Sequence, residues 1–185
     1  GGAFSQNADD SRLFDFESWR IGGIPSLMDN QKSLIVAAAK ADGAARATDL
    51  LTLAKLSLAN GRGPEALGAL RLAEQTQPDI RDIPAVKAIK GAASALSRHY
   101  DDAIRLLSDR ALASSEEAGY WRAYTLAGLE DWQQAIDVMP TTFDSLSAYP
   151  VDMRDVLGLK LAEVALRGGR VPLAQGLLGM VEGDK

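Results

Sequence analysis

Hydrophobic residues recur at the spacing of α-helices along most of this chain. In the segment 46–60, leucines surround the predicted helix on nearly all sides, which indicates burial against two neighbours rather than a single surface stripe. Pro140 and Pro150 interrupt the pattern, so an irregular or shortened helix is expected over 137–152. The spacing predicts a leading helix over 26–41 and four helix pairs, over 46–60 with 63–76, 83–98 with 100–113, 116–129 with 131–139, and 152–168 with 171–182.

The leading helix contains the run Ser33–Ala39, which is apolar nearly all round. A helix that is hydrophobic on every side has no face suited to water. We therefore expect the leading helix to be buried.

Residues 1–25 precede the helices as an N-terminal arm. Its segment Leu13–Trp19 alternates apolar and acidic positions in the manner of a strand and contains Phe14, Phe16 and Trp19. Three aromatic side chains within six residues are unfavourable to leave in water. One interpretation is that the arm docks on the chain's own helices and caps an apolar end. A second interpretation is that the arm belongs to a neighbouring domain. A third is that it packs on another copy of the chain.

The sequence also repeats itself. Residues 61–70 match residues 169–178, with weaker copies at 100–107 and 132–139. The aligned alanines are Ala66, Ala103, Ala135 and Ala174, spaced by 32 to 39 residues. The first copy has large, small and turn-forming residues at the positions where tetratricopeptide repeat (TPR) proteins have them: Leu50, Leu53, Ala54, Ser57, Gly61, Ala66, Leu70, Ala73 and Pro78. The chain thus resembles TPR proteins over about residues 47–182, and the resemblance is weaker in the middle copies. Among TPR proteins, it is most similar to large proteobacterial members.

This resemblance implies an all-α fold, a right-handed α-α superhelix in which antiparallel helix pairs form a TPR-like solenoid. About four helix pairs and one leading helix would occupy residues 26–185. In such arrays the first helix of each pair lines a concave groove, which implies a non-catalytic scaffold for a protein or peptide partner. Because the chain starts with Gly1-Gly2 rather than Met, we expect it to be part of a longer bacterial protein. Because some of the proteobacterial proteins that it resembles are exported, the resemblance also favours a location in the cell envelope or periplasm over the cytoplasm.

Carrying the groove positions over residue by residue gives Thr48, Leu51, Lys55 and Leu58 in the first copy, Ala85, Ala88, Ala92 and Ala95 in the second, Glu117, Tyr120, Tyr124 and Ala127 in the third, and Val156, Leu159, Glu163 and Leu166 in the fourth. The candidate ligand-binding residues are Leu51, Lys55, Ala88, Ala92, Tyr120, Trp121 and Tyr124. Tyr120 and Tyr124 share a helix face, and alanines opposite them would leave a slot for a peptide. The alternative is that Tyr120, Trp121 and Tyr124 fill core gaps between degenerate repeats.

The composition limits the classes of partner and activity that this chain can have. A net charge of −5 disfavours a partner made of nucleic acid, and no apolar run approaches the roughly 20 residues needed to insert into a membrane. With no Cys and one His, His99, the chain lacks the residues for thiolate or histidine chemistry. The acidic pairs Asp101-Asp102 and Glu116-Glu117 lie at predicted helix starts, where the helix dipole favours anions. We therefore expect no enzyme, no metal and no cofactor. Self-association of the solenoid and service as the accessory domain of a larger enzyme are the alternative functions.

Overall fold

The computed structural model describes residues 12–182 of the 185-residue chain, and every regular element in this range is helical. The first eleven residues of the predicted arm and the last three residues of the chain lie outside the described residues. The predicted all-α class is confirmed. The helices are α1 (Phe16–Trp19), α2 (Leu27–Lys40), α3 (Gly43–Ala59), α4 (Gly63–Thr76), α5 (Pro84–Leu96), α6 (Tyr100–Leu107), α7 (Glu116–Gly128), α8 (Trp132–Val138), α9 (Asp144–Ser147), α10 (Val151–Arg167) and α11 (Val171–Glu182).

Side-chain hydrogen bonds set some of these boundaries. The Ser115 side chain accepts the backbone N–H of Ala118 at 3.2 Å and so caps α7. Helix α6 ends at Leu107, earlier than predicted, because Asp109 starts a separate 3-10 turn by accepting the N–H of Ala111 at 2.9 Å. The interrupted segment after α8 holds only the four-residue helix α9.

The helices pack in neighbouring pairs. Helix α3 packs on α4, α5 on α6, α7 on α8, and α10 on α11, and each pair also contacts the next pair along the chain. The first helices of successive pairs contact one another, from α3 through α5 and α7 to α10. Helix α2 packs on α3 ahead of the first pair.

The turns inside the four pairs have the same geometry. Each contains one residue with a left-handed backbone, at Gly61, Arg98, Glu130 and Gly169, with φ between 60° and 73°. In each turn the next residue's N–H reaches back five residues to a helix carbonyl at 2.8 or 2.9 Å, as from Arg62 to Ser57. The aligned alanines five residues after the left-handed positions are all fully buried. The internal repeat seen in the sequence is therefore present as a repeated turn and a repeated close contact.

The prediction that the leading helix is buried is wrong for most of its apolar residues. In α2 only Leu27 and Ala38 are buried, whereas Met28 is 71% exposed and Ile35 56% exposed. The reason is that α2 packs mainly against α3, on one side, and the other described helices leave its opposite face open.

Candidate functional site

A stretch of the N-terminal arm, Leu13–Arg20, lies across the helices and is called here the docked segment. It contains the helical turn α1, which is capped by the Asp15 side chain, so the strand-like alternation in the sequence does not correspond to a strand. At one end the Leu13 N–H donates to Glu117 Oε2 on α7 at 2.5 Å. At the other end Arg20 Nε donates to the carbonyl of Ala59, the last residue of α3, at 3.0 Å.

Arg20 also ties the segment to the last helix pair. Its Nη2 lies 2.5 Å from Asp152 Oδ1 in the first turn of α10. The Arg20 side chain is 15% exposed and that of Asp152 is 58% exposed, so the pair is partly shielded from water. Through this one side chain the docked segment bridges the first and fourth helix pairs.

Two phenylalanines anchor the middle of the docked segment. Phe14 and Phe16 are each 1% exposed and stack on each other with centroids 5.2 Å apart. The Phe14 ring lies 5.9 Å from Trp121 of α7, and the Phe16 ring meets Tyr149 edge-on at 4.8 Å. Aromatic pairs at these separations contribute about 0.5–1.5 kcal/mol each beyond the burial of their surface. The segment is therefore held by apolar anchors as well as by its polar ends.

Glu117 is a buried carboxylate at the floor of this site. The residue is 2% exposed; Oε1 accepts the Tyr149 hydroxyl at 2.8 Å and Oε2 accepts the Leu13 N–H. Burial raises the pKa of the Glu117 carboxyl, while the hydrogen bonds from Tyr149 and from the backbone of Leu13 and Phe14 act in the opposite direction. Burial and the neighbouring Glu117 charge also raise the pKa of Tyr149 well above its usual range.

Lys55 of α3 meets the other end of the docked segment. Its Nζ lies 5.4 Å from the centroid of the Trp19 ring, within the range of a cation–π contact. Burial lowers the pKa of the Lys55 ammonium group. Around this contact is a surface cleft of about 260 Å³, lined by Ser18, Trp19, Ile21, Thr52 and Lys55.

The seven candidate residues fall into two groups. Lys55 and Tyr124 are half-buried, whereas the other five are fully or almost fully buried: Leu51, Ala88, Ala92, Tyr120 and Trp121. Of the seven, Lys55 and Trp121 have ring contacts with the docked segment. In the fourth copy, by contrast, the apolar groove positions Val156, Leu159 and Leu166 are exposed.

The third-copy aromatics are covered to different degrees, since Tyr120 and Trp121 are fully buried and Tyr124 is half-buried. Tyr120 stacks on Phe143 with centroids 5.6 Å apart, and its hydroxyl donates to the Thr142 carbonyl at 3.0 Å and to Glu116. The segment between α8 and α10 therefore covers Tyr120. Trp121 lies beneath Phe14, and Tyr124 packs edge-on against Trp121 at 5.7 Å.

Three residues of the site were not singled out by the sequence. The sequence marks Glu117 only as a groove position and as a carboxylate at a helix start. Tyr149 and Asp152 lie in or beside the irregular linker before α10, where no periodic pattern assigns a face. The one available signal was a carboxylate at a groove position in an otherwise apolar and aromatic surrounding.

Other chemistry is sparse in the part of the chain that the structure describes. His99 is exposed in the turn before α6, and Asp101 and Asp102 lie exposed in the first turn of that helix. Residues 12–182 contain no group of three side chains that could hold a metal ion. None of the described helices is both long and apolar enough to cross a bilayer.

Comparison of the chain with protein-family models, with curated proteins and with solved structures returned no match.

Proposed function

We propose that this chain is a non-catalytic, TPR-like scaffold that binds a peptide in the groove now holding its own docked segment. The groove is the surface formed by α3, α7 and the start of α10, with Lys55, Glu117, Trp121, Tyr149 and Asp152 as its contact residues. The observation that carries the proposal is the seating of Leu13–Arg20 there through side-chain anchors and backbone hydrogen bonds to Glu117. The four equivalent turns and the packing of each helix pair on the next support the solenoid part of the proposal.

The contacts are those by which a separate peptide is recognised. Phe14 and Phe16 fill apolar space, Trp19 lies against a lysine, and Arg20 pairs with a carboxylate. None of these contacts needs the covalent connection to α2. A partner of matching chemistry has two aromatic residues separated by one position, a third aromatic three residues later, and then a basic residue. Such short anchors on an otherwise extended segment are typical of peptide recognition.

The docked segment is also a competitor of such a partner. A covalently tethered segment acts at an effective concentration of the order of millimolar. The docked segment therefore occupies the groove unless the partner binds more tightly or the contacts of the docked segment are weakened. This competition determines how the proposal has to be tested.

The test uses a fluorescent, N-acetylated peptide of residues 13–20 and measures its anisotropy with two full-length proteins. One is the wild type, and the other carries Trp19→Ala and Arg20→Ala, which remove the Lys55 and Asp152 contacts of the docked segment but leave its phenylalanines. We expect clear binding to the double variant and weaker binding to the wild type. A peptide with both phenylalanines replaced by alanine is the control and should not bind. Absence of binding to a double variant that circular dichroism shows to be folded would overturn the proposal.

Self-association is the second candidate, and the connection to α2 favours it. Ile21, Gly22 and Gly23 have φ values of 46°, 84° and 79°, and a left-handed backbone is unfavourable for a β-branched residue such as Ile21. Extension of this connection would release that strain and let the docked segment of one copy occupy the groove of another, with the same contacts. Light scattering over a concentration series distinguishes the two, because exchange gives a mass that rises with concentration whereas a groove for a foreign peptide leaves a monomer.

A further inference from the structure

An exposed apolar stripe on α10 begins where the docked segment ends. Asp152, in the first turn of α10, accepts a hydrogen bond from Arg20, the last residue of that segment. Further residues on the same face of α10, called here the α10 stripe, follow Asp152 at alternating steps of four and three positions: Val156, Leu159, Glu163 and Leu166. The three apolar members are between 44% and 54% exposed. The α10 stripe therefore continues the groove beyond the docked segment, which leaves it in water.

The path of the chain after Arg20 explains why the α10 stripe is open. Ile21, Gly22 and Gly23 have left-handed backbones, and the chain then enters α2, which packs on α3. The helix that follows the docked segment in sequence is thereby held on another surface. A separate peptide in the groove has no such constraint. Its residues after the basic anchor are free to pack on α10.

The spacing of the α10 stripe fits a helical occupant better than an extended one. Steps of three and four residues place its side chains about 4.5–6 Å apart along the helix axis. Residues on one side of an extended chain are about 6.6 Å apart and fall out of step with them. A second helix with apolar residues at the same steps stays in register, as in coiled coils. From Asp152 to Leu166 the distance along the axis is roughly 21 Å, the length of about four helical turns.

The α10 stripe has one charged position between its apolar residues. Glu163 pairs with Lys160 at 3.5 Å and with Arg167 at 3.4 Å, and all three side chains are partly exposed. The charge of Glu163 is thus compensated within α10. An occupant needs only a polar residue opposite Glu163, and its apolar residues provide the contact.

We infer that the α10 stripe is the docking surface for an amphipathic helix that follows the basic anchor of the partner peptide. The inference rests on the proposed function and extends it to a partner of two parts. The first part has the aromatic and basic anchors of residues 13–20, and the second is a helix with apolar residues at steps of three and four. This helix gives the partner an advantage over the docked segment, whose own following helix is held on α3.

The experiment compares two fluorescent, N-acetylated peptides by their anisotropy with the full-length Trp19→Ala/Arg20→Ala protein. The short peptide is residues 13–20. The long peptide adds a short glycine link and a designed helix of about four turns with leucines at steps of three and four. We expect the long peptide to bind about ten-fold more tightly, because it buries the half-exposed side chains of the α10 stripe. A long peptide of the same composition, with its leucines scattered around the helix, is the control and should bind like the short one.

Two variants of exposed leucines, each made in the same double variant, locate the contact. Leu159→Gln should remove most of the advantage of the long peptide, whereas Leu72→Gln, at a 45% exposed position of α4, should retain it. A long peptide that binds no more tightly than the short one would overturn the α10 docking surface and leave the peptide-binding function standing. An advantage that persists in Leu159→Gln would overturn the assignment to α10. If neither peptide binds, the proposed function and the inference both fail.

A second copy of the chain is the other possible occupant of the α10 stripe. Light scattering of the double variant and of its Leu159→Gln form, without peptide, tests this case. We expect a constant monomer mass for both. A mass that rises with concentration, and that returns to the monomer in Leu159→Gln, would mean that a second copy covers the stripe and would overturn the inference.

Discussion

Two apolar segments near the start of this chain, the docked segment and helix α2, lie in opposite environments. Phe14 and Phe16 of the docked segment are 1% exposed, while the α2 residues Met28 and Ile35 are largely in water. Helix α2 has the longer apolar run, Ser33–Ala39, and it is the segment for which the sequence predicts burial. The apolar content of a segment therefore does not decide its burial in this protein.

The difference lies in what each segment finds to pack against. The docked segment reaches surfaces from three parts of the fold, at Glu117, Ala59 and Asp152, and its rings fit between Trp121 and Tyr149. Helix α2 packs on α3 and has an open outer face. A helix is fully buried only where neighbours cover it on more than one side.

The largest expected effect comes from removing an anchor of the docked segment. Phe16→Ala should lower the free energy of unfolding by about 3–5 kcal/mol, the usual result of truncating a fully buried phenylalanine. Chemical denaturation followed by circular dichroism measures it. Ile35→Ala in α2 is the matched control and should change stability by no more than about 0.5 kcal/mol, as for other exposed positions. Similar losses in the two variants would mean that α2 is buried in solution.

The bridge between the first and fourth helix pairs should give the next effect. Arg20→Ala removes hydrogen bonds to the Ala59 carbonyl and to Asp152, and bonds of charged groups contribute about 1.5–3 kcal/mol where they are shielded from water. We expect a loss towards the lower end of that range, because Asp152 is more than half exposed. Arg105→Ala breaks a fully surface-exposed pair with Asp102 and should cost less than about 0.5 kcal/mol in the same denaturation assay. Equal losses would indicate that the Arg20 bridge is no stronger than a surface pair.

Glu117 should make the stability of the chain around the docked segment depend on pH. Its pKa is raised in the folded state, so the folded chain binds more protons than the unfolded chain between the two pKa values. The contribution of Glu117 to stability is therefore greatest below the unfolded pKa of about 4.3 and is lost as the pH rises through the folded value. As the pH rises between these two pKa values, the denaturation midpoint of the wild type should fall relative to that of Glu117→Gln. A parallel course of the two proteins would contradict the assignment.

The smallest effect should come from the outer face of α2. Val36→Ser and Ile35→Ser replace exposed apolar side chains, and we expect their melting temperatures to stay within about 2 °C of the wild type, which corresponds to roughly half a kcal/mol for a chain of this size. Differential scanning calorimetry provides the measurement. A loss several times larger would show that this face is covered, for example by a second copy of the chain, and light scattering on the same samples would identify that case.

Some of this architecture was visible in the residues themselves. The positions of the helices followed from hydrophobic spacing, and Gly61 and Gly169 marked two of the four turns. The other two turns place Arg98 and Glu130 in the same left-handed conformation, and neither residue type signals it. The repeated alanines revealed those turns indirectly, since their spacing aligned the copies.

The candidate site was predictable only in part. Lys55 was identified from its groove position and Trp121 as a neighbour of the tyrosine pair, and both contact the docked segment. Tyr120 was identified by the same argument, but the segment after α8 covers it through Phe143. Tyr149 and Asp152 gave no signal, because the irregular linker that carries Tyr149 and leads into α10 has no period from which to assign a face.

The sequence alone determined the all-helical class, the order of the helices and the repeated turns, because these depend on contacts between residues close together in the chain. The tertiary structure decided which apolar segments are buried and where the arm lies. Glu117 and Leu13 are 104 residues apart, and Arg20 and Asp152 are 132 apart. Contacts at such separations depend on how the helix pairs stack, and no local pattern records that stacking.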